Sequence, residues 1–204
     1  TTYFCNAYSP DVQSLRFNML YMESLYGTDS ALFQWINDGL SNRLFDTLLP
    51  WCRERWFWAP FYLFLLVFVL LNEAGKRRRH FLFGLLLTVA VADFTSSKVI
   101  KIWVGRARPC NDPALSSAVH LRLPGCGSGY SFPSSHAANH FAVAVYCMPF
   151  FRRFARWTAP VLFLWAALIG FSQIYVGVHY PFDVLCGALL GSCIGWLLAR
   201  CFQR

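Results

Sequence analysis

Long apolar stretches, each closed by a short basic or polar segment, organise this chain. The first runs from Phe57 to Leu71 and stops before Lys76, Arg77, Arg78 and Arg79. The second runs from His80 to about Trp103, broken only by Asp93, Ser96, Ser97, Lys98 and Lys101. A polar loop from Val104 to Pro133 follows. Three more apolar runs cover Ser135 to Phe151, Thr158 to about Val178, and Phe182 to Ala199. A membrane-spanning helix takes roughly 20 residues, with a range of about 17–25. The first run is a little short for that, and Trp51, Trp56 and Trp58 supply an interfacial anchor that completes it. The pattern predicts an all-α polytopic membrane bundle of about five transmembrane helices.

The N-terminal part reads differently. Between Ser30 and Leu49 the apolar residues Leu32, Phe33, Ile36, Leu40, Leu44, Phe45 and Leu48 fall close to helical spacing. Asn37, Asp38, Asn42, Arg43 and Asp46 occupy the other faces, which predicts an amphipathic helix lying at the interface. Residues 1–29 carry no assignable pattern, and residues 30–204 read as one membrane-embedded domain. The chain opens on Thr1, as expected of a processed or internal start, and shows no basic-then-apolar signal pattern. In the last apolar run, Gly187, Gly191 and Gly195 recur every fourth residue, a stripe that permits close helix contact.

Composition agrees with the lipid reading. Of 204 residues, 56% are hydrophobic and 14% charged, against about 45–50% and 25% in soluble domains. The net charge of +8 would suggest a nucleic-acid partner in a soluble protein. Here the cations sit in short loops between apolar runs, so membrane orientation and anionic lipid head groups explain them better. Lys76 to Arg79, Arg152 to Arg156, and the end of the chain with Arg200 and Arg204 fall on one side of the five spans. That side is expected to be cytoplasmic. The long loop, the turn at 178–181 and the approach to the first span then share the outer side.

Three polar stretches converge there: KIWVGRARP from Lys101, FPSSH from Phe132, and SQIYVGVHYPFD from Ser172. Ionisable groups beside a membrane are costly and read as functional. His179 and Asp183 are four apart, so the carboxylate can hold one imidazole nitrogen and leave the other free as nucleophile or base. The pair also reads as a helix cap or a satisfied buried pair. His136 follows Ser134 and Ser135 at a helix start, where backbone N–H groups and hydroxyls suit an anion, or where one serine is simply the N-cap. His140 reads as a packed or pore-facing polar group. Lys101, Arg106 and Arg108 match phosphate oxygens, or snorkel from a helix end. Asp93 and Lys98 are expected to pair or to support Lys101.

The order Lys-x6-Arg-Pro, Pro-Ser-x-His, Ser-x6-His-x3-Asp resembles the type 2 phosphatidic acid phosphatase superfamily of membrane lipid phosphatases, over roughly residues 30–199. Phe132 to Phe141 and Tyr175 to Asp183 look most like bacterial members. The resemblance implies a cofactor-free, metal-independent enzyme in the bacterial inner membrane with its site toward the periplasm. It implies attack by His179 to give a phosphohistidine, orientation by Asp183, and proton transfer by His136. Lys101, Arg108, Ser134 and the third span's first turn would hold phosphate, with Arg106, Ser135 and Gln173 contributing. Undecaprenyl pyrophosphate is the leading substrate; lipid A or phosphatidylglycerol phosphate, phosphate transfer between lipids, and a weakened lipid-binding or transport protein are the alternatives.

Two positions depart from the family pattern. Ser135 stands where glycine is usual, and Gln173 stands where the family carries a phosphate-binding arginine. Arg106 is the expected compensation. Of the eight cysteines, Cys147, Cys186, Cys193 and Cys201 read as small hydrophobes on apolar helices. Cys110 and Cys126 flank the outer loop and could form a disulfide in an oxidising periplasm, tying it over the site. No Cys/His spacing suggests zinc, and no acidic cluster suggests a magnesium cage.

Overall fold

The structure, a computed structural model, describes residues 24–203; residues 1–23, most of the unassigned N-terminal segment, and residue 204 lie outside the described residues. Helix α1 (residues 24–39) widens into a π turn over Trp35–Gly39. Helix α2 (Arg43–Cys52) starts where the Asn42 side chain accepts the Phe45 N–H at 3.0 Å. The single amphipathic helix expected over 30–49 is therefore two. Asn42 is extended, with φ −158°, and its side chain satisfies an orphan donor of the new helix instead of continuing the old one.

Helix α3 (Ala59–Asn72) is followed by α4 (Gly75–Phe94), which continues through a π stretch, Thr95–Ile100, and a last turn, Lys101–Val104. Gly105, at φ 65°, ends that run in the left-handed region open to glycine. Helices α5 (Ser135–Phe151), α6 (Thr158–Tyr175) and α7 (Pro181–Phe202) complete an all-helical fold, with no strand among the described residues. Of the five expected spans, the α4 run, α6 and α7 are long and apolar enough to cross a membrane. Helix α3 has 14 residues and α5 has 17, or ~21 and ~26 Å at 1.5 Å per residue. The start of α3 is shortened because residues 53–58 turn back, with Trp58 donating from its indole to the Cys52 carbonyl at 2.6 Å. Trp51 and Trp56 remain exposed at this end, as an interfacial anchor requires.

Helix α5 is the centre of the bundle, and α7 approaches it most closely. The glycine stripe makes that possible: a Cβ on Gly187, Gly191 or Gly195 would run into the backbone of Ser134, Ala138 or Ala142. On the other side of α5, Phe81, Phe150, Phe151, Leu162, Trp165 and Ile169 form the larger core. The Tyr146 hydroxyl donates to the Phe81 carbonyl at 2.9 Å within it.

A second, smaller core joins α1 and α2 to the outer loop through Phe33, Ile36, Leu49, Leu115, Tyr175 and Tyr180. Asn37, expected on the polar face, is buried here. Its amide donates to the His120 and Tyr175 carbonyls at 3.0 and 2.8 Å, and its oxygen accepts the His120 N–H at 2.9 Å. Arg122 ties the same loop to Asp46 and Ser41 of the N-terminal layer and to the Tyr175 carbonyl. The interfacial helices thus fix the outer loop and the end of α6 as one unit.

The glycine stripe yields a direct test. Gly191→Ala places a methyl against the Ala138 main chain, which cannot move independently, and is expected to cost about 1–3 kcal/mol. Gly27, with open space around it, serves as control. Thermal unfolding in detergent should show a lowered Tm for Gly191→Ala and an unchanged or raised Tm for Gly27→Ala.

Candidate active site

Asp183 sits in the first turn of α7, after Pro181 has set the helix start without needing an N–H partner. Its side chain is fully buried. Oδ2 accepts the Tyr180 N–H at 2.9 Å and the Ser131 hydroxyl at 2.5 Å, while Oδ1 accepts from Arg106 at 2.7 Å. The same oxygen pair faces His179, with Nδ1 3.6 Å from Oδ2. Burial of an ionised carboxylate is tolerated because both oxygens meet donors, Oδ1 a guanidinium and Oδ2 an N–H and a hydroxyl.

This arrangement sets the tautomer of His179. The Ser131 proton is committed to Asp183, so the Ser131 oxygen, 3.3 Å from Nδ1, is left to accept. Nδ1 therefore carries the hydrogen and Nε2 keeps a free lone pair. Burial pushes the His179 imidazolium below its usual range, overcoming the opposite pull of Asp183. Burial thus favours the neutral imidazole, with the Nε2 lone pair free.

His136 occupies the first turn of α5. Ser134 caps that helix, its hydroxyl accepting the Ala137 N–H at 3.4 Å, and donates its own N–H to the Asp183 carbonyl at 2.9 Å. One main-chain bond thus links the two histidine-bearing helix starts. Ser135 shares a hydrogen bond with Ser97 at 2.9 Å, which pins α5 to α4. His136 is close enough to His179, Arg53 and Lys101 for their charges to act on it. His140 is a packed group: Nδ1 meets the His136 carbonyl at 2.7 Å and Nε2 the Tyr62 hydroxyl at 2.9 Å.

Lys101 closes α4, near Arg108, Asp183 and Asp93. Arg108 leans on the Gly129 and Ser128 carbonyls at 3.3 Å each, within electrostatic reach of Asp183 and Arg53. Cys110 and Cys126 are joined in a disulfide, with Cα atoms 5.8 Å apart, across the loop carrying these groups. Gln173 is fully buried, and neither end of its amide has a partner. Its main-chain carbonyl, by contrast, accepts the N–H groups of Val178 and His179 at 3.2 and 3.3 Å.

Two expectations require correction. Arg106 is not a free phosphate cation. It forks between Asp183 and Asp29 at 2.7 Å each and lies 3.8 Å over the Tyr180 ring, so its charge is spent on positioning the carboxylate. Of the two roles expected of Asp93, it is support of Lys101, within whose electrostatic reach it lies, and not pairing with Lys98; it accepts from Asn139 at 3.0 Å and from Ser97 at 3.4 Å.

Three residues escaped the sequence reading. Ser131 lies in a loop with no periodicity, although it directly precedes Phe132 and Pro133. Asp29 falls in the segment without pattern, yet accepts both Arg106 and the Phe182 N–H, the latter at 2.9 Å. Arg53 reads as one more basic residue before a span, and lines a cavity of about 450 Å³ with Ser135 and His136.

Comparison with known proteins agrees with this geometry. The family model of the PAP2 superfamily matches residues 79–204. The chain is 31% identical over 177 residues to the lipid A 4′-phosphatase of Bacteroides thetaiotaomicron, covering 86% of this chain and 77% of that one. It is 29% identical over 189 residues to an undecaprenyl-diphosphatase of Sulfolobus acidocaldarius, covering 91% and 84%. The crystal structure of Aquifex aeolicus LpxE superposes with a TM-score of 0.62 at 27% identity, over 83% of this chain and 93% of that one.

The protonation state of His179 is measurable without substrate. Its NMR titration midpoint is expected below the ordinary histidine value of ~6.5, and Ser131→Ala should perturb the Nδ1–H resonance. A midpoint at or above 6.5 would show that burial does not dominate.

Proposed function

The chain belongs to the PAP2 superfamily and is a membrane lipid phosphatase; from that premise we propose that it hydrolyses the 4′-phosphate of a lipid A-type glycolipid at the periplasmic face of a bacterial inner membrane. One observation carries the chemistry: the line from Asp183 through Ser131 to Nδ1 of His179, which leaves Nε2 free beside His136. The substrate class draws support from the similarity to a lipid A 4′-phosphatase over most of the chain.

The steps follow from that line. Nε2 of His179 attacks phosphorus as the bond from phosphorus to the lipid oxygen breaks, giving a phosphohistidine. Asp183 stabilises the positive charge that develops on the imidazole, through the hydrogen-bonded Ser131 and directly across 3.6 Å. His136 protonates the departing oxygen, then takes a proton from the water that attacks the phosphohistidine, returning His179 to its neutral form. Lys101, Arg108 and the first turn of α5, capped by Ser134, hold the non-bridging oxygens and the charge they gain. No metal is required in these steps, since protein cations take that electrostatic role.

An apolar cavity of about 820 Å³ between α3, α4 and α5 adjoins the site through Arg55, Asp93, Asn139 and His140. It suits a substrate whose tail stays in lipid while its phosphate reaches His136. Orientation draws on the basic segments 76–79 and 152–156, which lie at the opposite end of the bundle. Undecaprenyl diphosphate is the second reading, favoured by the similarity to the Sulfolobus acidocaldarius undecaprenyl-diphosphatase. There the departing group is the lipid monophosphate, and the phosphoryl group left on His179 is released by water as inorganic phosphate.

Phosphate release from purified lipid A, undecaprenyl diphosphate and phosphatidylglycerol phosphate decides between these readings. Preferential release from lipid A, with loss of the 4′-phosphate by mass spectrometry, is expected. Preference for undecaprenyl diphosphate would replace the first reading by the second. His179→Ala should lower the rate by at least about a thousandfold, and EDTA should leave it unchanged. Phosphate release by His179→Ala at the wild-type rate would remove the proposed nucleophile.

A further inference from the structure

The cations around the histidines are unequally employed. Arg106 is neutralised by two carboxylates, and Arg108 is shared with two loop carbonyls. Arg53, which ends α2, has neither arrangement. Its Nε is buried without any partner, and its one carboxylate neighbour, Glu54, is 3.9 Å from the far end of the guanidinium and half exposed. A guanidinium held this way loses hydration without gaining a matched acceptor, which is costly unless an anion completes it.

Its surroundings identify that anion. Arg53 lines the cavity shared with Ser135, His136 and Asn139, and its charge reaches both His136 and Arg108. Gln173, whose main-chain carbonyl accepts the N–H of His179, carries a neutral buried side-chain amide with two unpartnered atoms. Positive charge instead enters over α5, from the connection between α2 and α3.

We propose that Arg53 is a phosphate-binding residue, contacting a non-bridging phosphate oxygen on the His136 side of the substrate. The assignment rests on the phosphatase reading and deepens it. The planar fork of arginine, with Nε and one terminal nitrogen, matches two oxygens of a phosphate, which a lysine at the same place would not. The role is that of the cation which Gln173 cannot supply, delivered from another helix.

The test compares wild type with Arg53→Gln, Arg53→Lys, Gln173→Arg and the Arg53→Gln/Gln173→Arg double variant. Binding of inorganic phosphate is read by ³¹P NMR, and turnover by phosphate release from lipid A. Arg53→Gln should weaken phosphate binding and lower kcat/KM by about 10- to 100-fold, the scale of one charge-assisted hydrogen bond, with an unchanged Tm. Arg53→Lys should retain part of both. Gln173→Arg should restore phosphate binding in the Arg53→Gln background, a rescue that a merely structural Arg53 would not permit. Wild-type binding and turnover in Arg53→Gln would overturn the assignment while leaving the phosphatase reading intact. Phosphate binding that falls in Arg53→Gln, with no turnover of any lipid by wild type, would keep the anion site and sink the phosphatase reading. Absence of phosphate binding by wild type would overturn the assignment.

Discussion

A single buried carboxylate organises this protein. Asp183 carries its charge inside a bundle that has little else polar to offer, and it is stable there because three chain segments bring four donors to it. The Tyr180 N–H comes from its own helix start, Ser131 and Arg106 from the outer loop, and His179 from the preceding turn. Removing any donor leaves a desolvated lone pair, so the segments are held together by the cost of separating them. The same contacts give His179 its tautomer. Structure and chemistry therefore share one group of hydrogen bonds.

The second constraint is distance between backbones. The glycine stripe of α7 lets it lie against the main chain of α5, and the first point of that contact, Gly187 on Ser134, is also where Ser134 donates to the Asp183 carbonyl. A bulkier α7 would open the gap between the helix start bearing His136 and the one following His179. In lipid, where apolar surface provides no drive for helices to associate, such close packing supplies much of the attraction. The outer loop is fixed from the other side by the Cys110–Cys126 disulfide and by Asn37 and Arg122, which bind it to the interfacial helices and the end of α6.

Periodicity and spacing exposed most of this. The boundaries of α5 lie where the apolar run predicted, because Ser134 and the paired arginines punctuate it on both sides. His136, His179, Asp183, Lys101 and Arg108 lie around one region of the fold. What stayed hidden depended on partners remote in sequence. Asp29 acquires its role only from Arg106, 77 residues away. Ser131 is one serine in an irregular loop until Asp183 arrives beside it. The break at residues 40–42 turned on whether Asn42 would cap a helix or decorate one, a choice that apolar spacing does not register. Arg106 was misread for a related reason: sequence reports a cation but not which carboxylates have claimed it.

Stability and chemistry pull apart at a few residues, and Gln173 and Arg53 are the informative ones. A buried polar atom without a partner costs about 1–3 kcal/mol, and most side chains near the histidines avoid that cost. Gln173 and Arg53 do not, and nor does the Asn139 amide oxygen in the same cavity as Arg53. Core positions under selection for stability alone would be filled by an apolar residue of similar volume, since an unsatisfied polar group has no advantage over one. Gln173 and Arg53 hold polar atoms that the folded chain by itself leaves unsatisfied. One carries an amide that can donate and accept; the other carries charge. On the proposed phosphatase reading, Arg53 meets the phosphate from the His136 side, in the cavity it lines with that histidine. The binding energy withheld from folding is thereby available where the transferring group gathers negative charge.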